Sequence, residues 1–258
     1  MRIAVLVKQV PDTYGDRKID LATGLVDRAA SETVVDEIGE RAVEAALTIK
    51  GGAEATTVTA VTMGPESAIE AVRRALAMGA DDGVHIVDDG LAGADLTLTA
   101  EVLAAALKTL NADLVLAGNV STDGAGGVLG ALLAEHLGLP HATNLSSITT
   151  DGTSVRGDRV AEGGTVAVEA PLPAVASITE ALPDPRLPSF KGLRDAKKKP
   201  IAVLSATELD ADLAGAHAAR AIVISAAARP ARSAGVKIID EGDGGIQLAE
   251  FLIKQNLA

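Results

Sequence analysis

The sequence of 258 residues contains no cysteine and no tryptophan, and it has only two phenylalanines and one tyrosine. The absence of cysteine excludes a disulfide scaffold, zinc sites with thiolate ligands, iron–sulfur clusters held by this chain and thiol nucleophiles. Any redox chemistry must therefore come from a bound cofactor. The four histidines (His85, His136, His141 and His217) lack the HxxxH spacing of a metal-binding helix, and no GxSxG motif is present. We predict no catalytic residue and expect a binding protein rather than a self-sufficient enzyme.

Positive charge is scarce, because 23 lysines and arginines stand against 35 aspartates and glutamates and the formal net charge is −12. A nucleic-acid-binding surface needs a basic face and stacking aromatics, so nucleic acid is not expected as a partner. No apolar run reaches the length of a membrane span, and the opening MRIAVLVKQV lacks the pattern of a signal peptide. We expect a cytoplasmic protein without membrane insertion.

Short apolar runs alternate with helical patterns along the first half of the chain. Residues 3–7, 56–62, 84–87 and 114–117 have the composition of buried parallel strands. Between these runs, apolar residues recur at the three- and four-residue spacing of helices. This order predicts an α/β fold with a Rossmann-like, doubly wound parallel sheet, whose ligand crevice lies at the carboxyl ends of the strands.

The pattern changes in the second half of the chain. Residues 143–176 form shorter strand-like pieces with Asp-Gly and Gly-Gly turns, which predict added β-hairpins in the same domain. From residue 206 onward there are too few large apolar side chains for a separate core, although residues 246–257 have a helical pattern. We predict an α/β domain over residues 1–205 and an extended C-terminal arm over residues 206–258 that packs on another surface.

The glycine-rich segment GNVSTDGAGGVLG, residues 118–130, follows a predicted strand and leads into a predicted helix. Glycines let backbone N–H groups approach an anion, and the N-terminus of a helix favours negative charge, so the segment is a candidate phosphate site. Asn119, Ser121 and Thr122 offer polar contacts, while Asp123 is a candidate helix cap. The segment is neither GxGxxG nor a Walker loop, and a plain strand-to-helix turn is the alternative.

Two further polar segments border the predicted crevice. In KQVPDT, residues 8–13, Lys8 follows the first strand directly, although an ordinary proline-containing loop is the alternative. Asp36 opens the helical pattern DEIGE and is a candidate either for binding ribose hydroxyls or for simple helix capping, which is the commoner role.

A basic, proline-flanked segment, PDPRLPSFKGLRDAKKKP at residues 183–200, contains Phe190 as a single aromatic residue. The prolines and Gly192 predict a loop around a short turn. Phe190 and Leu193 are then candidates for docking a partner protein. The alternative is that Phe190 folds back onto its own domain and the lysines form a solvated face.

These segments together resemble the β subunit of electron-transfer flavoproteins, in its actinobacterial form, over essentially the whole chain. The resemblance is carried by ordered blocks, which are VLVKQVPDT, DEIGERAVEAAL, ALAMGADDGVHI, AGNVSTDGAGG, LPAV, PRLPSFKGLRDAKKKPI and RSAGVKIIDEGDGGIQLAEFL. It implies an adenine nucleotide α-hydrolase-like fold and a heterodimer whose α subunit holds most of the FAD. In the family, AMP is a structural nucleotide of the β subunit.

The resemblance also implies roles for individual residues. The nucleotide-contacting positions of the family fall on Leu6, Val7, Lys8, Asp36, Met63, Gly118, Asn119, Thr122, Asp123, Gly124, Gly126, Gly127, Val128 and Leu129. Related loops carry polar side chains at positions 127–129, so here the backbone N–H groups are expected to bind more of the phosphate. Thr13 and Tyr14 are expected nearest the flavin.

The resemblance implies protein partners as well. Arg186, Phe190, Lys191 and Leu193 are expected to dock acyl-CoA dehydrogenases or related flavin dehydrogenases, with Phe190 replacing a leucine that is usual in the family. A membrane quinone oxidoreductase is the expected electron acceptor. Two alternatives stay open: a bifurcating flavoprotein with a second FAD in place of AMP, and a free-standing ATP- or AMP-binding regulator similar to universal stress proteins.

Overall fold

The computed structural model describes residues 1–15, 17–52, 55–209, 219–232, 235 and 237–257. The chain is an α/β protein in which helices flank a mostly parallel central sheet, as the sequence predicts. The strands are β1 Arg2–Leu6, β2 Gln9–Pro11, β3 Thr33–Val35, β4 Thr57–Met63, β5 Asp82–Ile86, β6 Leu114–Gly118, β7 His141–Leu145, β8 Thr149–Thr150, β9 Ser154–Ala161, β10 Gly164–Pro171, β11 Ala174–Ile178 and β12 Ile201–Leu204. The α-helices are α1 Glu37–Gly51, α2 Ile69–Met78, α3 Leu96–Leu110, α4 Leu129–Leu137, α5 Phe190–Ala196 and α6 Gly244–Lys254.

The central sheet has ten strands in the order β10-β9-β7-β11-β6-β1-β4-β5-β12, with β8 paired to β9. The seven strands from β7 to β12 in that order are parallel to one another, and β9 is antiparallel to its neighbours β7, β8 and β10. Helices α1 and α2 pack on one face of the sheet and α3 and α4 on the other. Burial of the central strands on both faces explains why their sequences are almost continuously apolar.

Three local predictions differ from the structure. The run at 174–178 was expected to belong to a hairpin, but β11 lies between β6 and β7 as a parallel strand at the centre of the sheet. Part of KQVPDT is β2, which pairs with β3 in a separate two-stranded sheet. The turn expected within residues 183–200 is the short helix α5. In each case long-range pairing or packing determines the conformation, and local sequence carries little sign of it.

The chain separates into two units, Met1–Ser225 and Ala226–Ala258. This division falls later than the predicted boundary between residues 205 and 206. Ala206 is buried, and the backbone N–H groups of Arg220 and Ala221 donate to Asp95 at 2.7 Å each, so these residues belong to the first unit. Residues 210–218 of the predicted arm lie outside the described residues. In the second unit, α6 exposes the apolar side chains of Ile246, Leu248, Phe251 and Ile253.

Candidate functional site

The carboxyl ends of β1, β4, β6 and β11 meet at one edge of the sheet, and most of the predicted nucleotide-binding residues follow these ends. The Val7 N–H donates to Val61 O at 2.9 Å, and the Asn119 N–H donates to Ile178 O at 2.8 Å. The Asp36 N–H donates to Lys8 O at 2.9 Å, which brings the start of α1 to the same edge. The fold therefore gathers three segments that are far apart in sequence.

Asp36 connects helix α1 with the glycine-rich segment. Its carboxylate is buried; Oδ1 accepts a hydrogen bond from the Ile38 N–H at 3.0 Å, so Asp36 caps α1. Oδ2 accepts from the Thr122 N–H at 2.7 Å and from the Thr122 hydroxyl at 3.3 Å. Capping is thus observed, while contact with a ribose stays a prediction.

Asp123 does not cap the following helix, which was one role expected for it. Helix α4 starts only at Leu129, and Asp123 instead accepts a hydrogen bond from the Lys8 ammonium at 2.7 Å. Lys8 also donates to the Ser121 hydroxyl at 3.3 Å, and the Arg28 guanidinium lies 3.7 Å from the second oxygen of Asp123. The side chain of Asp123 is only 5% exposed. Burial opposes its ionisation, but the hydrogen bond and charge of Lys8 prevail and hold the pKa of Asp123 below its usual value.

Glycine is required at two positions of this segment for different reasons. A Cβ on Gly118 would lie 2.8 Å from the Ile38 side chain, so the absence of a side chain lets β6 and α1 pack closely. Gly127 has φ +70°, in the region that favours glycine. Residues 124–128 are exposed, and within the part of the chain that the structure describes, no side chain caps the N-terminus of α4. The segment therefore presents backbone N–H groups at a helix start, which is a favourable setting for an anion.

The side-chain amide of Asn119 carries a buried acceptor oxygen. Its Oδ1 has no hydrogen bond among the described residues, although a buried carbonyl oxygen normally has one. The side chains of Leu6 and Val7 are buried in the core, so contact with a ligand at these positions would come from the backbone. Met63 is half-buried at the end of β4.

Thr13 and Tyr14 lie in a turn directly after β2. The Tyr14 N–H donates to the Asp12 carboxylate at 2.9 Å, and the Tyr14 side chain is fully exposed. Strand β2, which precedes the turn, is held at its start by Gln9, whose side-chain amide donates to Ser67 O at 3.0 Å and accepts from the Ser67 hydroxyl at 2.8 Å. Sequence reasoning missed Gln9, because a single glutamine gives no local sign of a partner 58 positions away.

The segment at 183–200 presents its aromatic residue to solvent. Phe190 begins α5 and is 87% exposed, which contradicts the alternative that it folds back onto its own domain. Lys191 and Leu193 are also exposed. Arg186 is engaged by the Glu44 carboxylate through two hydrogen bonds of 2.7 and 2.8 Å, which lower the pKa of Glu44. Of the four predicted docking residues, Arg186 is therefore committed to an internal ion pair.

Outside the candidate site, the histidines, the acidic residues and a cavity are further candidates for a function. His85 is buried, with Nε2 3.2 Å from the carbonyl oxygens of Gly64 and Pro65, and His217 lies outside the described residues. Among the described residues, no cluster of histidine, aspartate or glutamate has the arrangement of a metal site. A cavity of about 790 Å³ opens at the amino-terminal edge of the sheet, lined by Thr56, Asp113 and neighbouring residues, and it lies away from the predicted site.

No α-helix in the described ranges combines the length and the apolar character needed to cross a membrane.

Comparison with known proteins identifies similar chains along the whole length. The family model described as "Electron transfer flavoprotein domain" matches residues 23–209. The chain is 47% identical to the electron transfer flavoprotein subunit beta of Mycobacterium leprae and 45% identical to that of Mycobacterium tuberculosis, in each case over 99% of this chain and 98% of the relative. It is 35% identical to the caffeyl-CoA reductase-Etf complex subunit CarD of Acetobacterium woodii, over 92% of both chains.

Proposed function

Since the chain belongs to the β-subunit family of electron transfer flavoproteins, we propose that it is one half of a heterodimer that carries electrons between enzymes. Its partner in that complex is an α subunit. The role is that of an electron carrier rather than of a catalyst, which the description of the matching family and the names of the relatives support. The observation that carries the proposal is the exposed Phe190 on a basic helix, in a chain whose full length resembles these subunits.

We propose that the glycine-rich segment at 118–130 binds AMP. The buried Oδ1 of Asn119, which has no hydrogen-bond partner in the described part of the chain, suits a donor such as an adenine amino group or a ribose hydroxyl. The exposed backbone at 124–128 and the uncapped start of α4 suit a phosphate. Asp123 is a carboxylate inside the segment, and its pairing with Lys8 removes the repulsion that a phosphate would otherwise meet.

The redox chemistry is assigned to FAD held mainly by the α subunit, and FAD supplies one- or two-electron transfer when bound. Thr13 and Tyr14 are proposed to border the flavin from this chain. The fully exposed side chain of Tyr14 and the fixed turn that holds it are consistent with a surface completed by a second subunit.

Phe190, Lys191 and Leu193 are proposed to dock flavin dehydrogenases that act on CoA thioesters. An exposed aromatic flanked by cations has the composition of an interface hot spot. The name of one relative places it in a complex with a caffeyl-CoA reductase, which supports CoA-thioester enzymes as a partner class. A quinone oxidoreductase is proposed as the electron acceptor.

Bound nucleotides test the proposal directly. The chain is co-expressed with its α subunit, and the nucleotides of the purified complex are extracted and identified by mass spectrometry. One FAD and one AMP per heterodimer are expected. Two FAD without AMP would assign the bifurcating alternative, and a stable monomer with ATP and no α subunit would assign the free-standing regulator.

Phe190→Ala tests the docking role. Loss of a hot-spot aromatic is expected to weaken docking by about 2 kcal/mol. The measurement is the rate of heterodimer reduction by an acyl-CoA dehydrogenase at varied heterodimer concentration, with FAD content as the control. Unchanged kinetics in this variant would remove Phe190 from the docking surface.

A further inference from the structure

Helix α5 lies on α2 without room for a side chain between them. A Cβ built on Gly192 of α5 would lie 2.3 Å from the backbone oxygen of Ala77 in α2. Backbone atoms cannot yield as a flexible side chain can, so any other residue at 192 forces the two helices apart. Ala196, one turn further along α5, is buried in the same contact. The distance between the helices therefore depends on Gly192.

Two cations hold this contact from opposite sides. Arg73 of α2 donates to Ala196 O at 2.8 Å and to Lys199 O at 3.2 Å. The ammonium of Lys199, just beyond α5, donates to the carbonyl oxygens of Leu76 and Ala80 at the C-terminal end of α2. A cation at the C-terminus of a helix also interacts favourably with the helix dipole. Burial lowers the pKa of Lys199, as expected for an ammonium removed from water.

The residues before α5 are held by α1. Arg41 donates to Leu182 O and forms an ion pair with Asp184 at 2.6 Å. Glu44, one turn further along α1, binds both the side chain of Arg186 and its backbone N–H, the latter at 2.9 Å. The segment is thus tied to the domain on both sides of Phe190, while the Phe190 side chain is exposed.

We propose that Gly192 is a positioning residue for docking, because its contact with Ala77 fixes α5 and presents Phe190 in one place before a partner binds. The inference rests on the proposed docking function of this segment. A segment that is already ordered does not lose conformational freedom on binding, and this preorganisation increases affinity. Four of the basic residues, Arg41, Arg73, Arg186 and Lys199, hold the segment in place. Lys191, Lys197 and Lys198 are exposed and remain available to the partner.

Gly192→Ala in the heterodimer tests the role, and Gly51→Ala is the matched control. Both glycines are helical, but a Cβ on Gly51 meets nothing within 4 Å. We expect Gly192→Ala to raise the KM for the heterodimer, with a reduced acyl-CoA dehydrogenase as electron donor, by about tenfold, which is part of the effect of losing a hot-spot contact. FAD content, flavin absorbance and kcat are expected to stay unchanged, and the amides of α5 should exchange hydrogen faster. Gly51→Ala should behave as the wild type.

Two further variants, Phe190→Ala and Phe190→Ala combined with Gly192→Ala, distinguish failure of the positioning role from failure of the docking function. An unchanged KM in Phe190→Ala would overturn the docking function itself. If Phe190→Ala raises the KM and Gly192→Ala does not, docking stands and the positioning role is overturned. In the double variant Phe190→Ala, Gly192→Ala, we expect the rise in KM to be smaller than the product of the rises in the two single variants, because both substitutions act through the Phe190 side chain. A rise in KM equal to that product would show that Gly192 affects docking independently of Phe190.

Arg73→Met keeps the test decisive if Gly192→Ala does not fold. This variant retains Gly192 and removes the two hydrogen bonds from α2 to the end of α5. We expect a smaller rise in KM in the same direction, again with unchanged FAD content. A wild-type KM for Arg73→Met would overturn the positioning role of the α2–α5 contact.

Discussion

Asp36 serves two elements with one carboxylate, because one oxygen caps α1 and the other accepts from the backbone of Thr122. A buried carboxylate is costly unless its oxygens are hydrogen-bonded, so both contacts are needed. The residue therefore ties the start of α1 to the segment proposed to bind AMP. Its structural role is complete without a ligand, which distinguishes Asp36 from Asn119, whose buried Oδ1 lacks a partner in the described part of the chain.

Asp123→Asn is expected to destabilise the protein at neutral pH and not in acid. The folded-state pKa of Asp123 is lowered, so its contribution to stability is present above the unfolded pKa of about 3.9 and is lost as the pH falls through the folded pKa. Urea unfolding at pH 7 should show a loss of about 1–3 kcal/mol in the free energy of unfolding.

Asp184→Asn is the control for this measurement, because its ion-paired carboxylate is 88% exposed and solvent screens the pair with Arg41. Its effect at pH 7 should be smaller. A difference between Asp123→Asn and wild type that does not shrink as the pH falls through the lowered folded-state pKa of Asp123 would contradict the assignment.

Gly127→Glu is expected to expel AMP, since the new carboxylate would stand beside the phosphate. Gly127 has φ +70°, so any side chain there is strained by about 1–2 kcal/mol. Gly127→Gln carries the same strain and size without the charge and is the control. AMP per heterodimer, measured by mass spectrometry, should fall further in the Glu variant; equal AMP content in the two variants would show that the phosphate lies elsewhere.

At the scale of elements, the sequence predicts the first parallel strands of the sheet better than it predicts the later strands that join them. The strands β1, β4, β5 and β6 were predicted close to their observed bounds, and α1 to α3 lie where helical periodicity was predicted between the strands, because each element carries its own apolar pattern. The place of β11 between β6 and β7 was not predicted, since a neighbouring strand in sequence is usually a neighbour in space. Pro11 concealed β2, because proline usually marks a loop or an edge strand.

The sequence predicts the segments that form the candidate site, but it does not predict which of their side chains contact one another. The glycine-rich segment and Asp36 carry local signs of a turn and a cap. The pairing of Lys8 with Asp123 joins residues 115 positions apart, and no local pattern reports such a distance. Helix α5 was missed for a similar reason: its prolines and basic residues indicate a turn, while its stability comes from Ser189 and from packing on α2.

Ser189→Ala is expected to weaken α5 by about 1 kcal/mol, the usual effect of losing a cap. The Ser189 hydroxyl accepts from the Gly192 N–H at 3.0 Å, and a helix of seven residues is marginal without such contacts. Faster hydrogen exchange of the α5 amides should result. Ser189→Thr retains the hydroxyl and should restore protection; an Ala variant with wild-type exchange would mean that packing alone maintains the helix.

At the scale of the whole molecule, charge is distributed unevenly, because a chain of net charge −12 concentrates exposed cations on and after α5. Such a local field speeds the encounter with an acidic partner surface and is screened by salt over about 8–10 Å. The basic face can therefore select a partner by association rate, even though most of the molecule is acidic.

Electron transfer from the dehydrogenase is therefore expected to slow as ionic strength rises. The double variant Lys191→Gln, Lys197→Gln should flatten that dependence by removing exposed charge from the docking surface. Lys108→Gln on α3 is the control, because Lys108 is exposed on the other face of the sheet. A second-order rate constant that is independent of salt in the wild type would contradict electrostatic docking.

The position of β11 has a consequence for the nascent chain. β6 ends at Gly118, and the N–H of Asn119 donates to the carbonyl oxygen of Ile178 in β11, a residue that is synthesised much later. Until then, the first half of the protein has an open sheet edge beside β6, and long-range pairing of this kind closes slowly. The segment proposed to bind AMP thus reaches its final hydrogen-bonded form late in synthesis, and we expect a nucleotide to bind there only after β11 has been synthesised.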